Sequence, residues 1–301
     1  MTFTRLSSAI ALWAVVVLAA ACGGGERPAT ETGAEQSGRP LTIKGSDTMV
    51  ILGQRLAEEY MQQNPGTIVQ VNGGGSGTGI AALINGTVDL AQASRAMKPE
   101  ERESVAKNRN AAVVETPVAL DALAVFVHRS NPVENVTIEQ LKQIFQGTIT
   151  NWTQVGGPDV PIILYGRENS SGTYDYFREH VLGGEDFAPR VQTLQGTAAV
   201  INAVAKDSAG IGYGGIAYAS DVKALGIAAG GNPPVTPSDE SVANGTYPLA
   251  RHLYYYYLEN APERVTNFVR YSLTPEAQQL VEKVGYFPLS TTRQAAETNA
   301  P

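Results

Sequence analysis

The chain has 301 residues, of which 43% are hydrophobic and 17% are charged, a composition typical of a globular protein of one or two domains. Its formal net charge of −7 at pH 7 argues against a broad basic face for nucleic acid. One cysteine and three histidines exclude an internal disulfide and disfavour a histidine-rich metal site. We therefore predict neither a metal ion nor a cofactor.

The N-terminus has the plan of a secretory signal. Arg5 precedes an apolar run that ends in three alanines just before Cys22, as in an exported protein. The pattern resembles a bacterial lipoprotein signal with Cys22 as the lipidated residue, although Ala19 stands where such signals usually have Leu. We predict a lipoprotein signal peptide over 1–21 and a flexible tether over 22–40. The alternative is an ordinary secretory signal peptide that is cleaved nearby, with Cys22 left unmodified.

A local pattern occurs three times after the tether: a β-prone segment, a cluster of Gly, Ser and Thr, and then apolar residues at helical spacing. The clusters are Gly-Ser-Asp-Thr at 45–48, Gly-Gly-Gly-Ser-Gly-Thr at 73–78 and Arg-Glu-Asn-Ser-Ser-Gly-Thr at 167–173. Helix N-termini present free N–H groups and a partial positive charge, and the hydroxyls add neutral donors. We therefore expect a small anion there, with Arg167 as its cation. For any single cluster, capping and turn formation remain the alternative.

Nucleotide-binding and nucleophile motifs do not fit these clusters. Residues 73–79 satisfy neither the dinucleotide fingerprint nor the P-loop, and the residues around Ser76 lack the last glycine of a nucleophile elbow. The three histidines are each expected to be structural or exposed. No catalytic residue is predicted, and a secreted phosphatase-like hydrolase using Ser76 or Ser171 is kept as the alternative.

Several motifs follow one another between Leu41 and Leu289. They are Gly45-Ser46-Asp47-Thr48, Gly73 to Gly79, Val88-Asp89-Leu90-Ala91 with Ala93-Ser94-Arg95, Ile144-Phe145-Gln146-Gly147 through Asn151-Trp152, Gly166-Arg167 with Ser171-Gly172-Thr173, Ile211-Gly212-Tyr213, and Leu273-Thr274-Pro275-Glu276-Ala277-Gln278. In this order they resemble the phosphate-binding proteins of bacterial phosphate-uptake ABC transporters, within the periplasmic-binding-protein superfamily. The resemblance implies an α/β protein with a two-lobed, periplasmic-binding-protein-like (type II) fold and a ligand cleft between the lobes.

The resemblance also implies which residues bind phosphate. Carried over onto this chain, the family's ligands fall on Ser46, Thr48, Ser76, Gly77, Arg167, Ser171, Gly172 and Thr173. Many relatives have an Asp, which accepts the phosphate proton, where this chain has Ser94-Arg95. We expect Asp47 to take that role, although an exposed Asp at a helix N-terminus is an equally good interpretation. Ser94 would add a hydroxyl and Arg95 a second cation, unless Arg95 forms an ion pair between lobes or at the surface.

The predicted lobes are discontinuous in sequence. Lobe 1 is expected to contain 41–117 plus 249–301 and lobe 2 to contain 118–248, with crossings at the β-prone runs 118–127 and 253–258. The predicted protein is a monomeric, non-enzymatic receptor that passes inorganic phosphate to the permease subunits of an ABC importer. It would be held by its lipid on the outer face of the cytoplasmic membrane or in the periplasm. Sulfate, molybdate or tungstate is the alternative ligand.

Overall fold

The computed structural model of the chain describes residues 38–289. The predicted signal peptide, Cys22 and nearly all of the tether lie outside the described residues. Within 38–289 the strands are β1 (Leu41–Gly45), β2 (Val69–Asn72), β3 (Leu90–Ala93), β4 (Val113–His128), β5 (Asn135–Thr137), β6 (Ile163–Arg167), β7 (Gln192–Leu194), β8 (Gly210–Gly215), β9 (Val222–Ala224), β10 (Gly226–Ala228) and β11 (Ala250–Leu258). The α-helices of the same range are α1 (Val50–Gln63), α2 (Ser76–Ile84), α3 (Pro99–Arg109), α4 (Ile138–Phe145), α5 (Gly172–His180), α6 (Thr197–Lys206), α7 (Asp239–Ala243), α8 (Glu263–Ser272) and α9 (Pro275–Val284).

The repeated pattern of strand, polar cluster and helix is present at all three predicted places. A short 3₁₀ turn, Asp47–Met49, leads from β1 into α1. The second cluster leads from β2 into α2, and the third leads from β6 into α5. α1 buries Leu52, Leu56 and Tyr60, so its predicted apolar face packs inward. The N-termini of three helices thus follow directly on the ends of three strands.

One mixed sheet runs through the molecule in the order β2-β1-β3-β11-β4-β8-β6-β7, and β9 also pairs with β4. At one end β1 is parallel to β2 and β3, and at the other β6 is parallel to β7 and β8. The two long central strands, β4 and β11, are antiparallel to each other and to their outer neighbours. Two parallel α/β halves are therefore joined by an antiparallel pair.

The hydrophobic core divides along that central pair. On β4, Ala119 packs in the core of the first half and the next residue, Leu120, packs in the core of the second. On β11 the change falls between Ala250, which packs against the second core, and Leu253, which packs in the first. The described chain is thus two-lobed. Phe287, in the segment that sequence analysis assigns to lobe 1, packs in the second core.

Part of the tyrosine run of β11 packs into the interior of the first lobe. The pairing of β11 with β4 shifts register between Leu253 and Tyr254, as at a β-bulge. Tyr255 and Tyr256 are both buried, in different clusters of the first lobe. Among the helices of residues 38–289, none combines the length and the hydropathy that a bilayer crossing requires.

Candidate anion-binding site

Five buried hydroxyl groups come together where the three helices begin. Ser46 Oγ donates to Ser94 Oγ at 2.9 Å, and Ser76 Oγ lies 3.5 Å from Ser94 Oγ. Thr48 Oγ1 and Thr173 Oγ1 are 2.9 Å apart. All five residues are 2% exposed or less. We call this group the hydroxyl cluster.

Gly172 connects the two parts of the hydroxyl cluster. A Cβ atom at this position would lie 2.3 Å from Ser76 Oγ and 2.9 Å from Ser94 Oγ, closer than atoms that are not bonded can approach. Only glycine therefore lets α5, which begins here and carries Thr173, come this close to α2. This position is compatible with the predicted role of Gly172 as a ligand. What the structure shows is that the missing side chain makes room for the hydroxyls of Ser76 and Ser94.

Two other predicted ligands use their polar groups within the protein. Ser171 Oγ accepts the N–H groups of Thr173 and Tyr174 at 3.2 and 3.3 Å, which makes Ser171 the N-cap of α5. The backbone N–H of Gly77 donates to the carbonyl of Ser170 at 2.9 Å. This bond joins the second cluster to the third and so links the two lobes.

A buried ion pair that sequence analysis missed borders the hydroxyl cluster. Arg251 Nε and Nη2 donate to Asp121 Oδ2 at 3.0 and 2.8 Å, and Nη2 also donates to Thr173 Oγ1 at 3.0 Å. Asp121 is 0% exposed. Arg251 Nη1 is buried without a hydrogen-bond partner among residues 38–289. The arrangement offers an anion a guanidinium, and it offers a protonated anion a carboxylate acceptor.

Asp121 lies beside the hydroxyl cluster because of Gly215. A Cβ atom at Gly215 would be 2.9 Å from Thr48 Cγ2 and 3.1 Å from Asp121 Oδ1. Thr48 and the Asp121 carboxylate therefore both pack against the backbone of Gly215, where a side chain would push them apart. Burial raises the pKa of the Asp121 carboxyl, and its ion pair with Arg251 opposes that rise. The available signal in the sequence was a charged residue inside the apolar run 118–127, since such residues are seldom buried unless paired.

Arg167, the predicted cation, is 1% exposed and is held by the protein's own acceptors. Its Nε and Nη2 donate to the carboxylate of Glu168 at 3.0 and 2.9 Å, Nη1 donates to Thr197 Oγ1 at 2.8 Å, and Nη2 also donates to Asp47 Oδ2 at 3.1 Å. Burial works to raise the pKa of Glu168, but the hydrogen bonds from Arg167 hold it below the ordinary value. Most of the N–H donors of Arg167 therefore have acceptors.

Asp47 joins the first polar cluster to its surroundings. Its Oδ1 accepts the N–H of Gly74 at 2.9 Å, and its Oδ2 accepts the bond from Arg167. Its backbone carbonyl accepts the hydroxyl of Tyr218 at 2.7 Å. The carboxylate is thus hydrogen-bonded to the second cluster and to the third, and its predicted role as proton acceptor stays a prediction.

Of the two roles considered for Arg95, the ion pair between lobes is the one observed. Arg95 Nη1 and Nη2 donate to the two carboxylate oxygens of Glu101 at 2.8 and 2.7 Å, and Nε donates to Asp175 Oδ2 at 2.8 Å. Arg95 follows β3 in the first lobe, and Asp175 lies on α5 in the second. We call these three residues the Arg95 latch. Lys98 adds a cation 3.6 Å from Asp175.

Comparison with known proteins identifies the class. Residues 27–276 match the PBP superfamily domain, and the chain therefore belongs to the PBP superfamily. The phosphate-binding protein PstS of Pseudomonas aeruginosa is 36% identical over an alignment that covers 96% of each chain. Within the superfamily the chain thus belongs to the family of phosphate-binding PstS proteins.

Solved structures agree with this assignment. A putative phosphate ABC transporter substrate-binding protein from Clostridium perfringens, with bound phosphate, has a TM-score of 0.77 and 29% identity, and covers 84% of this chain and 100% of its own. An ABC-type phosphate transport receptor from Vibrio cholerae has a TM-score of 0.67 and 32% identity, over 83% and 100%. The predicted two-lobed α/β fold is confirmed.

Proposed function

We propose that this chain is an exported receptor that captures inorganic phosphate between its two lobes and delivers it to the permease subunits of an ABC importer. The observation that carries the proposal is the hydroxyl cluster, in which donors from both lobes converge beside Arg251. Hydroxyl groups and helix N-termini supply neutral donors to an oxyanion, and a guanidinium supplies charge. The named ligand of the PstS relatives supports phosphate as that oxyanion.

In this proposal the five hydroxyls and Arg251 contact the anion. Arg167 acts at the edge of the site, where it fixes Asp47 and with it the first polar cluster. Ser171, Gly172 and Gly77 set the approach of the helix N-termini. These four residues, which the sequence predicted as ligands, therefore position the site, and their substitution is expected to lower phosphate affinity less than substitution of Arg251.

We propose Asp121 as the group that distinguishes phosphate from sulfate. Near neutral pH phosphate keeps at least one proton, whereas sulfate has none. A buried carboxylate therefore accepts a hydrogen bond from phosphate but opposes sulfate with like charge and an unpaired acceptor. Asp121 is fully buried beside Thr48 and Thr173. Its Oδ2 accepts from Arg251, but its Oδ1 accepts only one long bond, from the N–H of Ile216 at 3.3 Å, whereas both oxygens of Asp47 accept shorter bonds, from Gly74 and Arg167.

Calorimetric titration of the purified chain with a panel of oxyanions tests the proposal. Phosphate is expected to bind, and sulfate to bind more weakly by a factor of about 10⁴, as in sites that leave a buried polar group unpaired with the wrong ligand. Molybdate and tungstate serve as further competitors. Equal or tighter binding of one of these ions would make the chain a receptor for that ion, and no binding of any of them would defeat the proposal.

A phosphatase-like hydrolase is the competing function. Ser171 Oγ caps α5, and Ser76 Oγ accepts the N–H of Ser94 at 3.1 Å, whereas a nucleophilic serine needs an adjacent base. Within residues 38–289 no group of three His, Cys, Asp or Glu side chains is placed to hold a metal ion. Incubation with phosphomonoesters decides the matter, because turnover that disappears in Ser76→Ala or Ser171→Ala would establish a hydrolase.

We also propose that Cys22 carries a lipid that keeps the receptor at the membrane, as a monomer. When the full chain is expressed in a bacterium, it should partition with membranes, whereas Cys22→Ala should be released or remain uncleaved. One acyl chain binds only marginally, so stable retention requires more than one. Equal detergent partitioning of the two proteins would contradict lipidation.

A further inference from the structure

A groove of about 660 Å³ lies between α5 and the start of β11. Four permanent cations and two carboxylates line it, together with two histidines: Arg95, Lys98, Arg178 and Arg251 against Asp175 and Glu179. The whole chain has a net charge of −7. The lining therefore carries more cations than carboxylates, and concave surfaces of this kind concentrate anions. The carboxylates paired with Arg95, Arg178 and Arg251, which are Glu101, Asp186 and Asp121, are not part of the lining.

Two guanidinium groups of the groove have buried N–H donors without an acceptor. Arg178 Nε and Arg251 Nη1 have no hydrogen-bond partner among residues 38–289. The side chain of Arg251 is 2% exposed, so water reaches it poorly. Arg178 is partly neutralised by Asp186, at 3.5 Å from its Nη2. Because buried donors are almost always paired in native proteins, these two donors are available to an acceptor from outside the chain that enters the groove.

The groove borders the hydroxyl cluster at several points. Arg251 lines the groove and also donates to Thr173. Arg95 directly follows Ser94, and Asp175 lies two residues after Thr173. An anion held in the groove is therefore next to the residues proposed to bind phosphate, and Arg251 belongs to both places.

We propose that this groove is an outer anion site, in which a hydrated phosphate-type oxyanion is bound by Arg178 and Arg251 before it reaches the hydroxyl cluster. The proposal rests on the proposed function. In this proposal Arg251 Nη1 donates to the anion in the groove, while Nη2 donates to Thr173 of the hydroxyl cluster. One guanidinium thus contacts both the outer site and the hydroxyl cluster. Lys98 adds positive charge to the groove, and the Arg95 latch forms one of its walls.

The experiment measures the association and dissociation rate constants of inorganic phosphate by rapid mixing at low and high ionic strength. Arg178→Gln is expected to lower the association rate constant about three- to tenfold at low ionic strength, with the dissociation rate constant unchanged. The difference should shrink in high salt, because salt screens steering by exposed charges. Lys98→Gln, at a second cation of the groove, is expected to slow association in the same way.

Arg129→Gln is the matched control. Arg129 pairs with Asp221 in an exposed ion pair and takes no part in the groove, so this variant changes the net charge equally but should keep the parental rates. Arg178→Gln and Lys98→Gln proteins that associate as fast as the control would overturn the outer site. A loss of affinity that comes only from faster dissociation would also overturn it, because that result would mean that the two residues stabilise the bound state and do not capture the anion. A parent chain that binds no phosphate in calorimetry would instead refute the proposed function.

Discussion

Two arginine–aspartate pairs with buried guanidinium groups lie at the polar clusters, and they differ in which N–H donors they leave without an acceptor. Arg167 donates to Asp47, Glu168 and Thr197, and each of its nitrogens has an acceptor. Arg251 donates to Asp121 and Thr173, and its Nη1 has no partner within residues 38–289. Both guanidinium groups are inaccessible to bulk water, so burial does not distinguish them.

The difference shows that a buried cation and an available cation are separate properties. The two carboxylates around Arg167 neutralise it and join the first polar cluster to the third. Arg251 has a single carboxylate and contacts the hydroxyl cluster directly. We therefore expect anion binding and selectivity to depend mainly on the Arg251–Asp121 pair, and the assembly of the clusters to depend on the Arg167–Asp47 pair.

Substitution of the two aspartates should produce the largest contrast. Asp121→Asn removes the proposed acceptor of the phosphate proton, and the preference for phosphate over sulfate should fall by about 10³-fold or more. Asp47→Asn should leave most of that preference intact. Competition by sulfate against bound phosphate measures both variants. A reversed result would return the proton acceptor to Asp47, as the sequence alone predicted.

Substitution of the two arginines should separate the pairs by affinity. Arg251→Gln should weaken phosphate binding about 100-fold, because loss of one member of a buried charge pair typically costs ~2–5 kcal/mol. Arg167→Gln should weaken it about tenfold, or ~1.4 kcal/mol, through displacement of Asp47. Calorimetry measures both, with the folded state of each variant checked by its thermal transition. An equal or larger loss in Arg167→Gln would make Arg167 a direct ligand.

The selectivity of the Arg251–Asp121 pair should also depend on pH. Burial raises the pKa of Asp121, so its carboxyl takes up a proton at a higher pH than an ordinary Asp, which titrates near about 3.9. A protonated Asp121 no longer accepts a bond from phosphate and no longer repels sulfate. As the pH falls below neutral, sulfate should therefore compete better in the parent chain. In Asp121→Asn, which has no carboxyl to protonate at this position, this pH dependence of sulfate competition should be absent. If sulfate competition changes with pH equally in both proteins, Asp121 is not its cause.

The smallest expected effect concerns the Arg95 latch, which shares no residue with either arginine–aspartate pair. Burial works against ionisation of Glu101, but hydrogen bonds from Arg95 hold its pKa below the ordinary value. The pair thus stabilises the fold above the ordinary glutamate pKa of about 4.3 and loses this contribution as the pH falls through the lowered pKa.

Glu101→Gln tests the latch. At neutral pH the variant should lose about 1 kcal/mol of unfolding free energy, since the groups are partly exposed. Denaturant unfolding at neutral pH and at a series of pH values below the ordinary glutamate pKa of about 4.3 should show a difference between parent and variant that shrinks steadily as the pH falls. Arg55, whose exposed ion pair with Glu58 should contribute almost nothing, offers the control Arg55→Gln. A difference that persists unchanged in acid would mean that the loss is not electrostatic.

The sequence predicted the parts of the site that are local. Glycine, serine and threonine before an amphipathic run mark a helix N-terminus wherever they occur, so 45–48, 73–78 and 167–173 could be found without a structure. The order of these motifs also led to the correct family. Ser94 was predicted because it follows a motif of that family.

The sequence did not predict the parts that depend on long-range register. Arg251 pairs directly with Asp121 across the antiparallel strands β4 and β11, and 130 positions separate them in the chain. Neither residue lies in a recognisable motif, so only the pairing of the strands brings them together. The bond between Arg167 and Asp47 was missed for the same reason, because 120 positions separate the two residues.

The central position of β11 has a consequence for the order in which the protein folds. β11 lies between β3 and β4 and pairs with both, yet it is translated more than 100 positions after them. The first lobe therefore cannot complete its sheet until the chain has been made as far as residue 258, and it cannot complete its core until Tyr286 has been added. A chain that emerges from the ribosome stays incomplete in that lobe for most of its synthesis, which suits a polypeptide predicted to cross a membrane before it folds.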